Sequence, residues 1–179
     1  MKRTFLFLLM TMILFANCKE LTEKQKVSNQ VKKTEEVSRQ LEIRFSFKTN
    51  KPGVFKIMMN NIEVDELQKK NIHIMETISP TSQFERITAK FDEGNMSKNI
   101  AFNLGNKEVK EVTIDNINIS YKNKVIDIST IKDLTKFLRF SKYIEIDSIS
   151  GILKTKKVEG KHYPAFYFSK NLIKQLNKD

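Results

Sequence analysis

Apolar and polar residues alternate from Leu41 onward, and this alternation constrains the fold more than any other feature of the chain. In residues 41–48, one row of side chains is aliphatic or aromatic and the other is charged or hydroxylated. Successive side chains of a β-strand point to opposite faces, so a period of two predicts a strand with one buried face and one exposed face. We therefore expect the chain beyond residue 40 to form sheets around a core.

The same alternation recurs along the rest of the chain. Further strands are predicted at residues 54–59, 72–78, 84–91, 99–104, 112–121, 125–128, 143–146, 152–155 and 165–168. Short helices are predicted after Ser129 or Thr130 and at residues 171–176. The polar stretch at residues 62–70 favours a helix, and the turn at residues 50–53 predicts a hairpin between the first two strands. This number of short strands suits one mostly β domain, an antiparallel β-sandwich at residues 41–179.

The apolar phase changes inside the longest predicted strand. Val112 and Ile114 share one face, whereas the next apolar residue of the row is Ile117. One extra residue restores the core face, so the sequence predicts a β-bulge at Asp115 and Asn116. Calcium prefers oxygen ligands, but two adjacent side chains are a weak signal for it. No metal and no cofactor are predicted.

The first eighteen residues have the pattern of an export signal. Lys2 and Arg3 precede an uncharged, apolar run of 13 residues at positions 4–16. That run is shorter than the roughly 20 apolar residues that a helix needs to cross a bilayer. A charged segment begins directly after it, as expected when residues 1–17 are a secretory signal peptide.

The apolar run ends in the segment LFANC, residues 14–18, which contains the only cysteine of the chain. This segment resembles the lipobox of bacterial lipoproteins. The resemblance implies that the thiol of Cys18 is diacylated and that Cys18 becomes the new N-terminus. The protein would then be anchored by lipid in a bacterial cell envelope, at the periplasmic face or the cell surface. An ordinary signal peptide with a chance cysteine is the alternative.

Residues 18–40 are predicted to be a lipidated cysteine followed by a charged tether. The segment after Cys18 contains no aromatic residue, glycine or proline, and its few apolar residues are too sparse for a core face. Such a composition is typical of a disordered segment or a weak helix. Because no second cysteine is present, the domain can form no intramolecular disulfide and must depend on a hydrophobic core.

The excess of positive charge comes almost entirely from lysine. The net charge is +11, and it is +9 once Lys2 and Arg3 are left out. Only five of the 32 basic residues are arginine, the residue that nucleic-acid-binding proteins favour for base edges and phosphates. No nucleic-acid partner is predicted. The charge favours a solvated basic surface near an anionic membrane or an acidic glycan.

The strand-turn-strand segment FNLG, followed by a polar turn and VTIDNINISY, is similar to the later strands of jelly-roll β-sandwich domains. The similarity is to the galactose-binding and carbohydrate-binding-module type and covers residues 41–128. It implies a jelly-roll-like sandwich on a bacterial surface protein that handles glycans. Ala101 and Asn103 take positions that are often charged in that family, so the family's ligand contacts are not carried over.

Catalytic patterns are scarce. His73 and His162 are the only histidines, and Cys18 is assigned to the lipid anchor. The chain has no GxSxG, HExxH, glycine-rich phosphate loop or aspartate-rich calcium loop. Glu145 and Asp147 form an acid pair on one strand face, as in glycosidases, although solvent-facing strand residues are the simpler interpretation. We predict a domain that is not an enzyme, with an exported hydrolase as the less favoured alternative.

The segment KHYPAFYF, residues 161–168, contains the candidate ligand-binding residues Tyr163, Tyr167 and His162. Aromatic rings can stack on the apolar face of a sugar, and polar neighbours can bind its hydroxyl groups. The simpler alternative is that the two phenylalanines enter the core and Tyr167 covers the sheet edge. The sequence thus predicts a membrane-anchored lipoprotein with a non-catalytic binding domain for a glycan or a partner protein. A structural or assembly subunit of an envelope complex is the alternative.

Overall fold

Strands make up most of the computed structural model, which describes residues 39–178. In this part of the chain the elements are β1 (Leu41–Thr49), β2 (Gly53–Glu63), β3 (Lys69–Ile78), β4 (Glu85–Phe91), β5 (Asn99–Asn103), β6 (Glu111–Tyr121), β7 (Lys124–Ile128), α1 (Ile131–Phe137), β8 (Leu138–Phe140), β9 (Ile144–Ile146), β10 (Leu153–Thr155), β11 (Ala165–Phe168) and α2 (Lys170–Asn177). Cys18, the signal peptide and nearly all of the predicted tether lie outside the described residues. The lipid anchor therefore stays a prediction.

The strands form two antiparallel sheets. Sheet A has the order β4-β1-β6-β10-β9, and β7 pairs with the C-terminal half of β6. Sheet B has the order β3-β2-β5-β11-β8. The two sheets pack on a common hydrophobic core. This arrangement confirms the predicted class, a mostly β sandwich with two short helices.

Phenylalanine rings fill the centre of the sandwich. The ring centroid of Phe45, in sheet A, lies 5.4 Å from that of Phe102 and 6.0 Å from that of Phe166, both in sheet B. Phe102 and Phe166 stack on each other at 4.7 Å. Each such ring pair contributes about 0.5–1.5 kcal/mol beyond the burial of apolar area. The apolar row of β1 is buried throughout, as the alternation predicts.

Strand β6 contains the predicted bulge. Ser46 of β1 is opposite Asn116, but the next residue of β1 is opposite Ile114, so Asp115 is the extra residue. The Ser46 hydroxyl donates a hydrogen bond to the Asp115 carboxylate at 3.0 Å. Because of this extra residue, both Ile114 and Ile117 pack against the core.

Two local predictions were wrong. The turn at residues 50–53 does not close a hairpin, because β1 belongs to sheet A and β2 to sheet B. The stretch at residues 62–70 is not a helix, because it contains the end of β2, a loop and the start of β3. In that loop the Asp65 carboxylate accepts hydrogen bonds from the backbone N–H groups of Leu67 and Gln68, both at 2.8 Å. This local turn satisfies backbone groups that a helix would have paired.

Helix α1 begins at Thr130, one of the two caps that the sequence suggests, and α2 begins at Ser169, a cap that was not predicted. The Thr130 hydroxyl accepts a hydrogen bond from the Asp133 N–H at 3.1 Å, and the Ser169 hydroxyl accepts one from the Leu172 N–H at 3.2 Å. Leu138, which the helical pattern places on the apolar face of α1, instead begins β8. Within residues 39–178, neither helix has the length and apolar character needed to span a membrane.

Candidate functional site

The outer face of sheet B carries a row of side chains from all five of its strands. The register places His73, Met58, Ala101, Tyr167 and Arg139 next to one another, in this order, from β3 to β8. Directly opposed side chains on neighbouring antiparallel strands have Cβ atoms about 5 Å apart. The row therefore forms a continuous surface across the sheet.

A second row lies beside the first. It consists of Met75, Lys56, Asn103 and Ala165. The two alanines, Ala101 and Ala165, point outward but are almost completely covered, at 2% and 5% exposure. Because neighbouring side chains cover these short side chains, the accessible surface here belongs to the longer side chains around them.

One end of this face opens into a cleft of about 780 Å³, which we call the helix cleft. Tyr167 and Phe168 of β11 form one side, and the loop between β4 and β5 forms another. Helix α2 contributes Ile173, which is buried, and the two lysines at positions 170 and 174. The helix cleft thus combines an apolar floor with a basic rim.

The other end opens into a cleft of about 460 Å³, which we call the loop cleft. Its lining residues are Gly53, Val54, Lys56, Met58, Met75, Asn103, Gly105, Asn106, Lys107 and Tyr163. Met75 is 57% exposed, which is high for an apolar residue in the middle of a strand. Like the helix cleft, the loop cleft is lined by apolar side chains, by a single tyrosine and by lysines.

The structure brings two of the three predicted ligand-binding residues to this face. Tyr167 is 46% exposed and lines the helix cleft, and Tyr163 is 54% exposed and lines the loop cleft. The two tyrosines are four positions apart in the sequence, which corresponds to about 13 Å of extended chain. The ring of Tyr143 packs edge-on against Tyr163 at 5.9 Å between centroids, which helps to fix the Tyr163 ring.

His162, the third predicted residue, lies beneath the surface with 6% exposure. Its Nδ1 atom is 3.0 Å from the carbonyl oxygen of Asn106. Because a carbonyl oxygen only accepts hydrogen bonds, Nδ1 carries the proton and donates it. The bond ties the segment of Tyr163 to the loop that lines the loop cleft. His162 therefore supports this cleft from beneath, and its role as a direct ligand contact stays a prediction.

Lys110 is a supporting residue that the sequence did not reveal. Its side chain is buried, and its Nζ atom donates a hydrogen bond to the carbonyl oxygen of Pro52 at 2.8 Å. A side chain at Gly53 would overlap that ammonium group, so glycine makes room for it. Burial lowers the pKa of Lys110 because a charged amine loses hydration there, and nearby Glu108 opposes this shift in part.

The outer face of sheet A has a different electrostatic character. The Glu42 carboxylate pairs with Arg44 at 2.6 Å and with Lys90 at 3.5 Å. Near the other edge of sheet A, Lys154 pairs with Asp147 at 3.6 Å, and Lys156 pairs with Glu145. By contrast, the two rows and two clefts of sheet B contain no Asp or Glu among the described residues.

The pKa values of the acid pair, Glu145 and Asp147, are both lowered, whereas a glycosidase needs one of its two carboxyl groups to have a raised pKa. A hydrogen bond from Lys156 lowers the pKa of Glu145, and its positive charge adds to the effect. Backbone hydrogen bonds from Ser150 and Ile149 lower the pKa of Asp147. A glycosidase needs one carboxyl group with a raised pKa as its general acid. Glu145 and Asp147 are both held in the ionised form.

The bulge residues Asp115 and Asn116 lie in a shallow cleft of about 220 Å³. Arg44 and Arg86 line the same cleft, and their positive charges disfavour a bound divalent cation. Across residues 39–178, no group of three or more His, Cys, Asp or Glu side chains is placed to hold a metal ion.

In the part of the chain that the structure describes, the rows and clefts of sheet B bring together exposed tyrosines, methionines and basic residues. Searches of protein-family models, curated proteins and solved structures found no match for this chain.

Proposed function

We propose that the chain is a lipid-anchored protein of a bacterial cell envelope, with a non-catalytic domain that binds a glycan or a partner protein. The binding surface is the outer face of sheet B together with its helix cleft and loop cleft. One observation carries the proposal: Glu42, Glu145 and Asp147 on the side of sheet A pair with basic residues, whereas the described residues of the rows and clefts of sheet B expose basic and apolar side chains and include no carboxylate.

Exposed apolar side chains support this choice of face. Val54, Met75, Tyr163 and Tyr167 are all more than one-third exposed, and all four line one of the two clefts. Clustered apolar side chains on the surface of a soluble domain mark binding sites more often than isolated ones do. Pockets with apolar walls and a few polar groups are the usual form of ligand sites.

The anchor is supported by the sequence. The apolar run and Cys18 support a mature chain that begins at a membrane, and the composition of the charged segment after Cys18 suits a tether. The resemblance to jelly-roll carbohydrate-binding domains, covering residues 41–128, agrees with a glycan as the ligand. Such a protein would hold glycan or a partner close to the membrane without altering it.

The experiment is a glycan array probed with residues 19–179. We compare the unaltered protein with Tyr167→Ala, which removes the exposed ring of the helix cleft. The matched control is Val125→Ala, which removes an exposed apolar side chain from β7 of sheet A. We expect Tyr167→Ala to weaken binding at least about tenfold and Val125→Ala to leave it unchanged.

Two results would count against this function. Equal binding by the protein and by Tyr167→Ala would show that the ligand does not use this face. Uniform silence on the array, together with stoichiometric co-purification of envelope proteins from membranes, would favour the alternative role as an assembly subunit. In that case the envelope proteins that co-purify with the unaltered protein should also co-purify with Tyr167→Ala.

A further inference from the structure

We infer that the ligand of the outer face of sheet B is an acidic, linear oligosaccharide that extends from the helix cleft to the loop cleft. This inference rests on the proposed function and specifies its ligand. The carboxylates of the oligosaccharide bind the lysines of the two clefts, and its sugar rings stack on Tyr167 and Tyr163.

The helix cleft concentrates positive charge that the protein does not neutralise. Lys98, Lys170 and Lys174 line it, and within residues 39–178 none of their ammonium groups forms an ion pair. Lys170 and Lys174 are four residues apart on α2, so they occupy the same side of the helix. Like charges at this spacing destabilise a helix slightly. An anion in the cleft would remove that repulsion, and the apolar floor would strengthen its attraction.

The loop cleft repeats this combination at the other end of the face. Lys56 and Lys107 line it, and the amide side chain of Asn106 and the exposed ring of Tyr163 complete it. Neither cleft has a carboxylate among its described lining residues. A ligand with acidic groups along its length would therefore meet lysine at both ends of the face.

Carbohydrate fits this face better than a peptide strand or a membrane does. The backbone groups of the central strands of sheet B are already paired with one another, so a peptide cannot join the face as an additional strand. The exposed apolar side chains of this face, such as Met75 and Tyr163, lie beside lysines and do not form a continuous apolar patch of the kind that inserts into a membrane. A chain of sugars has polar edges and apolar ring faces, so it can contact the lysine and tyrosine side chains of such a mixed face.

The separation of the two tyrosines sets the length of the ligand. Tyr163 and Tyr167 are about 13 Å apart along the extended chain. A single sugar can reach only one of them, whereas a chain of several sugars can contact both. Binding should therefore become tighter as the oligosaccharide lengthens, until both clefts are occupied.

The test is calorimetric titration of residues 19–179 with di-, tetra- and hexagalacturonate. The variant is K170Q together with K174Q, and the control is K132Q together with K136Q, which changes the same charge at the same spacing on α1. We expect hexagalacturonate to bind more tightly than digalacturonate, and the α2 variant to weaken hexagalacturonate at least about tenfold. The α1 variant should stay within about twofold, and raising NaCl from about 0.05 M to about 0.5 M should release the ligand.

Each contrary result points to a different failure. Equal weakening by the α1 and α2 variants would show that overall charge, and not the helix cleft, binds the ligand. Equal binding of neutral maltohexaose would refute the acidic class while leaving the proposed function intact, provided that Tyr167→Ala still weakens it. Tighter binding of polyglutamate, or of vesicles containing phosphatidylglycerol, would refute carbohydrate as the ligand. No effect of Tyr167→Ala on any of these probes would refute the proposed function itself.

Discussion

Gly105 offers the sharpest test of how the loop cleft is built. Its φ is +80°, which is unfavourable for any residue with a side chain. A Cβ atom at this position would lie 3.2 Å from the carbonyl oxygen of Val54 and 3.3 Å from both the Val54 nitrogen and the Lys110 Nζ atom. Two of these three neighbours are backbone atoms of β2, which cannot move without disturbing sheet B.

Two contributions set the loss of unfolding free energy that we expect for Gly105→Ala. Left-handed backbone costs alanine about 1–2 kcal/mol, and crowding against packed atoms adds about 1–3 kcal/mol. Gly105→Ala should therefore reduce the free energy of unfolding by about 2–5 kcal/mol. Gly94→Ala is the matched control, because its φ is +78° and a Cβ atom there would have no neighbour within 4 Å. Only the backbone contribution, about 1–2 kcal/mol, applies to Gly94→Ala.

The assay is urea unfolding of residues 19–179, followed by circular dichroism in the far ultraviolet. With a slope of about 2 kcal/mol per M, the midpoint should fall by about 1–2.5 M for Gly105→Ala and by about 0.5–1 M for Gly94→Ala. Equal shifts for the two variants, with unchanged slopes, would refute the reasoning, because the contacts with Val54 and Lys110 would then contribute nothing.

Three further predictions concern the anchor, the buried lysine and the core. Cys18→Ser should abolish labelling by radioactive palmitate and move the protein into the aqueous phase of a Triton X-114 extraction, and unchanged labelling would exclude Cys18 as the lipid site. The unfolding free energy should rise with pH between the lowered pKa of Lys110 and its ordinary value of 10.5, because there the unfolded chain binds more protons. In Lys110→Met this rise should be smaller. If urea unfolding gave the same dependence on pH for the variant and the unaltered protein, the prediction would be wrong. Phe102→Ala should cost about 3–5 kcal/mol in the same assay, and a loss below about 1 kcal/mol would contradict the central ring packing.

Local patterns in the sequence predicted the strands well, because the side chains of a strand alternate between its two faces and this alternation is visible in the sequence. The alternation in β1 and the extra residue at Asp115 both follow from the period of two. The hairpin at residues 50–53 was wrong because a turn signal reverses the chain without specifying which strand becomes the neighbour. In the structure, β1 pairs with β4 and β6, which lie far along the chain. The three-residue strand β8 was missed because its first residue, Leu138, continues the apolar stripe of the helix that precedes it.

The candidate site was predictable only where its residues are neighbours in sequence. Tyr163 and Tyr167 belong to one aromatic segment, so the sequence could suggest them. The helix cleft joins Lys98 to residues of α2 more than seventy positions later, and only the pairing of β5 with β11 brings them together. Lys110 shows no sequence signal, because its burial depends on the space left by Gly53 and Gly105.

The distribution of charge connects the sequence to this face. Among the described residues, the two rows and two clefts of sheet B contain six basic side chains, which are Lys56, Lys98, Lys107, Arg139, Lys170 and Lys174. The rest of residues 19–179 then has 24 basic and 21 acidic residues, a net charge of only +3 out of +9. A basic surface that served only solubility would need no such concentration, since charge of one sign repels itself wherever it gathers. Most of the net positive charge of residues 19–179 thus lies on one face of the domain. An acidic ligand bound there would reduce the repulsion between these basic side chains.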